Sequence, residues 1–205
     1  MSIRTDFSAA AGAFVAAVGA IENDQWTRPG LGVWSVRDLV GHTSRSFVTL
    51  REYARPGDTS SPIDVDGPVA YYQRVVAMAG APEAVADRGR RAGAALGGDP
   101  AGAIRALSTE AGDLVGAWPD DARLGTLAGV MSLAGYLPTR TIELTVHTLD
   151  LCRATGQSVP DGLDGPRAAC LRLVTELAIA GGRGTEVLLA LTGREPLPAD
   201  FSLMI

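Results

Sequence analysis

Lysine is absent from the chain, and all 18 basic residues are arginine. With abundant alanine and glycine, this reads as the imprint of GC-rich coding rather than a physical demand. Positive charge is also short overall: the net charge of -5 argues against a nucleic-acid binder, whose affinity comes from clustered positive charge. No stretch approaches the roughly 20 uncharged apolar residues of a membrane span. Met1 to Asp6 carries no apolar signal core ahead of an acidic residue, so a cytoplasmic location is the expectation. The two cysteines, Cys152 and Cys170, are too few for a disulfide framework and read as buried, inert thiols. Internal repeats and low-complexity tracts are missing as well.

What is present suits an ordinary globular domain. Of the 205 residues, 46% are apolar, enough to bury a real core. The apolar spacing of Phe7, Phe14, Val18 and Ile21 predicts a helix over about 5–22. A loop with Pro29, Gly30 and Gly32 follows. Ser35-Val36-Arg37-Asp38 then has the form of a capping box, with Asp in the usual Glu position, opening a helix that Pro56-Gly57 stops near Arg55. Residues 56–67 form a connection. Further helix is predicted over 68–96, broken near Gly80-Ala81-Pro82. Another runs from the Asp99-Pro100 cap to Trp118-Pro119. Residues 121–131 are a loop or a short strand pair. A long helix starts between Ser132 and Thr139 and ends at Gly156, a plausible left-handed terminator. A helix over 166–180 and a shorter one over 186–191 precede an irregular or strand-like end.

Scarcity makes the histidines informative. His42 lies seven residues after Ser35, and His147 follows Glu143 by one helical turn, so Glu143 and His147 share a face. One carboxylate and two imidazoles make a ligand set for zinc or a similar divalent ion, with positions left open. The helical wheel aligns Tyr136, Arg140, Glu143, His147, Asp150 and Ala154 in one polar stripe between apolar flanks, which points to burial. Asp150, one turn past His147, reads either as an acceptor that orients His147 from behind or as an exposed charge. Cys152 falls roughly 140° around the helix from His147 and off the ligand face. The competing interpretation pairs Glu143 with Arg140 or another arginine on an exposed face, with His147 merely beside it, and spacing alone leaves the two level. Trp34 reads as a packing anchor at a helix entrance, with a pocket mouth as the alternative. Arg88, Arg90 and Arg91 read as a solvated helix face.

The segments Trp34-Ser35-Val36-Arg37-Asp38-Leu39-Val40-Gly41-His42 and Arg140-x-x-Glu143-x-x-x-His147-x-x-Asp150-Leu151 resemble the DinB-like superfamily, in its mycothiol-dependent maleylpyruvate isomerase branch. The tail Leu188-Leu189-Ala190-Leu191-Thr192-Gly193-Arg194 supports the likeness. The resemblance implies a mainly all-α fold, a four-helix bundle over residues 1–160 with a short C-terminal extension, 161–205, packed on it. It implies a divalent metal, zinc foremost, on His42, Glu143 and His147. It also implies a low-molecular-weight thiol such as mycothiol as cosubstrate, in isomerisation or S-transfer to a small electrophile. Mycothiol belongs to high-GC actinobacteria, in agreement with the all-arginine composition. Isomerases of this branch carry a larger C-terminal domain, whereas about 40 residues follow Gly165, so S-transfer stands beside isomerisation as an expectation.

In that chemistry the metal holds a thiol as thiolate, the sulfur attacks an electrophilic carbon, and an arginine steadies the developing negative charge. Arg194 is the first candidate and Arg140 the second. Hydrolysis by metal-activated water, with Asp150 as base, and a non-catalytic metal-binding stress-response module are the alternatives. The expected partners are a small-molecule substrate and the thiol, with homodimerisation open.

Overall fold

The computed structural model describes residues 2–54, 61–78 and 82–203. Ser2 caps the first helix, α1 (Ile3–Gly19), by accepting a hydrogen bond from the Thr5 amide. The capping box forms as predicted: Ser35 Oγ accepts from the Asp38 amide at 3.2 Å, and Asp38 Oδ2 accepts from the Ser35 amide at 3.1 Å. Two amides left without helical partners at this end are thereby satisfied, which starts α2 (Val36–Tyr53) at a definite residue. Its expected stop at Arg55-Pro56-Gly57 lies outside the described residues. Two helices, α3 (Gly67–Ala77) and α4 (Pro82–Ala95), flank the expected break, of which Gly80 and Ala81 also lie outside them. Asp99 Oδ1 accepts from the Gly102 amide at 2.8 Å and opens α5 (Pro100–Ala117). The long helix is α6 (Leu133–Thr155), closed by Gly156 at φ 71°, where a side chain would be strained. It is followed by α7 (Asp164–Ala180) and α8 (Gly184–Leu191).

Two hairpins complete the described elements. Pro29–Leu31 (β1) pairs antiparallel with Trp34–Ser35 (β2), in a segment predicted only as loop. Strands this short carry too few side chains to display a period of two, so the sequence signal was the turn glycine alone. Arg123–Thr126 (β3) pairs with Gly129–Ser132 (β4), which decides residues 121–131 in favour of the strand pair.

The helices α1, α6, α2 and α5 form a ring in which each packs on two others, giving the four-helix bundle. Phe7, Phe14, Leu39, Phe47, Ile104, Tyr136, Leu144 and Leu151 fill its centre. The outer helix α4 lies along α2, and α3 packs on α6 and α7. Beyond residue 160 the two helices differ. Leu173 and Leu177 of α7 enter the main core, whereas α8 buries no residue and rests on α7. Among the described residues, no helix is long and apolar enough to cross a membrane.

One contact fixes how closely α4 approaches α2. A Cβ on Gly41 would overlap the backbone of Gly93, so only glycine permits the approach. Gly41 immediately precedes His42, and this packing therefore bears directly on where that imidazole sits.

Candidate metal centre

His42 on α2 and Glu143 and His147 on α6 converge where these two helices face each other. One ligand atom from each lies within 4.8 Å of the others. Glu143 Oε2 is the shared point, 3.7 Å from His42 Nε2 and 3.4 Å from His147 Nε2. Donor atoms at about 2.0–2.1 Å from a tetrahedral zinc ion lie about 3.3–3.5 Å from one another, so these separations and the N,N,O donor set fit a divalent cation. The three side chains are 14–21% exposed, largely but not fully withdrawn from solvent.

Each candidate ligand is oriented by a different device. For His147, Asp150 Oδ2 lies 3.1 Å from Nδ1. Nδ1 is thus the nitrogen that donates to Asp150 and Nε2 the one that faces Glu143, the carboxylate–histidine arrangement of metal sites. For His42, Nδ1 is buried with no hydrogen-bond partner among the described residues. Its ring is instead held by stacking: the Trp34 indole lies 4.5 Å away, centroid to centroid, at 30°. Trp34 in turn donates from Nε1 to the Ala86 carbonyl at 3.0 Å and packs against Gly89, both on α4. The packing-anchor reading of Trp34 holds, and the residue it anchors is the candidate ligand His42. For Glu143, the second oxygen, Oε1, accepts from the Tyr72 hydroxyl at 3.1 Å.

The electrostatics follow from this wiring. Burial opposes ionisation of Glu143, but the imidazoles of His147 and His42 beside it and the Arg140 charge outweigh it and hold the carboxyl well below its usual range. Burial likewise opposes charge on His147, and the bonds to Asp150 and Glu143 outweigh it, raising its pKa to about 9. Tyr72 is pushed well above the ordinary phenol value by burial first and by the Glu143 charge second, so it remains a proton donor. Burial raises both cysteine thiols, Cys152 and Cys170, which are free and unreactive in character.

Arg140 does not sit on an exposed face with Glu143. Its guanidinium is buried, with Cζ 4.8 Å from the Tyr136 ring centroid and 5.8 Å from that of Tyr71, and Nε donates to Thr139 Oγ1 at 3.0 Å. Tyr53, Tyr71, Tyr72 and Tyr136, all four tyrosines of the chain, adjoin one another in this region. Arg194 is elsewhere in character: it is exposed just past α8, and its guanidinium donates to the Thr192 carbonyl at 2.5 Å. Arg88, Arg90 and Arg91 are exposed on α4, as expected of a solvated face.

Sequence reasoning missed Tyr72. A Tyr-Tyr pair in a helix is ordinary core material, and nothing local shows which hydroxyl meets a carboxylate 71 residues away. The scarcity signal that exposed the histidines was faint here, since tyrosine numbers four.

Comparison with curated proteins and with solved structures gives no match. The family profile described as mycothiol maleylpyruvate isomerase N-terminal domain matches residues 7–152, a span that holds Trp34, His42, Tyr72, Glu143, His147 and Asp150. With well over half its length matched, and with the helical bundle that the resemblance implied, the chain belongs to the mycothiol maleylpyruvate isomerase N-terminal domain family.

Proposed function

We propose that the protein is a divalent-metal-dependent enzyme that uses a low-molecular-weight thiol, of which mycothiol is the family's example, for isomerisation of or S-transfer to a small electrophile. The convergence of His42, Glu143 and His147 on one point carries the reading. In it, His42 Nε2, Glu143 Oε2 and His147 Nε2 hold zinc or a similar ion. When bound, the ion supplies a charge that keeps a coordinated thiol deprotonated at neutral pH, against a free-thiol pKa of about 8.5. Asp150 keeps the His147 proton on Nδ1, so that Nε2 stays available. The thiol gives its proton to solvent, and its sulfur adds to an electrophilic carbon of an activated double bond as that π bond opens toward the activating carbonyl. S-transfer closes when the resulting enolate takes a proton from solvent. Isomerisation closes when the sulfur leaves again and the double bond re-forms after rotation. Arg140 supports the negative charge that develops, because it is a buried cation three residues before Glu143, where low polarity strengthens its field. Arg194, exposed beyond α8, has no comparable support. Asp150 is committed to His147, which weighs against its service as base in hydrolysis.

The test is metal analysis of the purified protein followed by an electrophile screen with and without mycothiol. Turnover that needs both metal and thiol is the expected result. Turnover in metal-replete protein without thiol would establish hydrolysis instead, and full metal occupancy with no turnover would mark a non-catalytic module.

A further inference from the structure

We infer that Tyr72 is a positioning residue that confines Glu143 to one-oxygen ligation and so keeps coordination positions free for thiol and substrate. The inference rests on the metal reading above and adds to it the control of coordination number. A carboxylate can bind a cation through one oxygen or through both, and the two modes differ by a full coordination position. Here the two oxygens of Glu143 are already divided. Oε2 faces both imidazoles, at 3.4 and 3.7 Å, while Oε1 is engaged separately, accepting from the Tyr72 hydroxyl at 3.1 Å.

The hydroxyl itself is held in place. Its oxygen is also 3.2 Å from the Thr139 carbonyl, one turn before Glu143 on α6, so the phenol is registered to the helix that carries the ligand. The ring is 5% exposed and packs edge-on against Tyr71 at 5.4 Å, leaving it little freedom to swing aside. A phenol has a single proton to donate, and a carboxylate oxygen is a stronger acceptor than an amide carbonyl already engaged in a helix. Rotation of Glu143 to present both oxygens to a cation would break this bond and leave the buried hydroxyl with the carbonyl alone. Of the three ligands, Glu143 is the one with a choice of binding mode, and Tyr72 is the residue that removes the choice.

The experiment uses the full chain with Co2+ in the centre, because the visible absorption of Co2+ weakens as coordination number rises. Tyr72→Phe removes the hydroxyl and keeps the ring; Tyr71→Phe removes a neighbouring buried hydroxyl that has no bond to Glu143. The expected result is loss of visible intensity in Tyr72→Phe and an unchanged band in Tyr71→Phe, with far-ultraviolet circular dichroism equal in all three proteins. Identical Co2+ spectra for Tyr72→Phe and the parent, or equal losses in both variants, would overturn the inference. Should Tyr72→Phe not fold, the parent decides: its infrared difference spectrum, loaded minus metal-free, should show the wide carboxylate splitting of one-oxygen ligation, and narrow splitting would overturn the inference. Failure of the parent to bind Co2+ at all would instead sink the metal reading itself, which keeps the two failures distinct.

Discussion

Asp150 and Trp34 solve the same problem for two imidazoles by different physics. Asp150 fixes His147 through a hydrogen bond at 3.1 Å, and Trp34 fixes His42 through ring stacking at 4.5 Å. Loss of the partner behind a metal-bound histidine costs about 10–100-fold in affinity. Asp150→Ala should therefore weaken zinc by that factor in a competition titration against a chromophoric chelator; an unchanged dissociation constant would remove Asp150 from the centre. The raised His147 pKa makes a second, pH-dependent prediction for the metal-free protein. Its proton binds more tightly in the folded state, about 9, than at the ordinary value of 6.5, so the stabilisation is complete below 6.5 and lost as pH rises through 9. The melting temperature of metal-free protein should fall across that window by more than that of a metal-free His147→Ala variant. Parallel pH profiles for the two would show that the His147 ion pairs contribute nothing.

At the scale of the element, α2 carries His42 but does not by itself decide its position. The capping box sets where α2 begins, and the Gly41–Gly93 contact sets its distance from α4, which also receives Trp34. Gly41→Ala would force these helices apart, an overpacking change that typically costs about 1–3 kcal/mol. A lowered denaturation midpoint together with weaker metal binding is the expected outcome, since the stack on His42 shifts with α4. A midpoint lowered with metal affinity intact would show that α4 supports the fold and not the site. The sequence marked this helix start, but helix–helix proximity is a property of two segments about 50 residues apart, and neither Gly41 nor Gly93 alone announces it.

For the molecule as a whole, a metal held by His42, Glu143 and His147 would tie α2 to α6, two helices of the bundle ring. A ligand that binds only the folded state stabilises it by mass action, about 2.7 kcal/mol at free metal one hundred times the dissociation constant. Chelation should lower the melting temperature of the parent and hardly move His147→Ala. Equal shifts in both would mean that the metal sits at some other place.

The sequence by itself determined the helical elements, their caps and the one-turn Glu143–His147 pair, because each depends on residues within a few positions of one another. Ser35 with Asp38, Asp99 with Pro100, and Gly156 were legible for that reason, and the scarcity of histidine singled out His42 as a third partner. The β1–β2 hairpin was not legible, since two- and three-residue strands have no period to read. Only the tertiary structure decided that His42 meets the pair and that Arg140 is buried among tyrosines. It also decided that Trp34 backs His42, that Tyr72 takes one oxygen of Glu143, and that α7 joins the main core. Those are contacts between helices, and packing shape, not local propensity, selects which side chains they bring together.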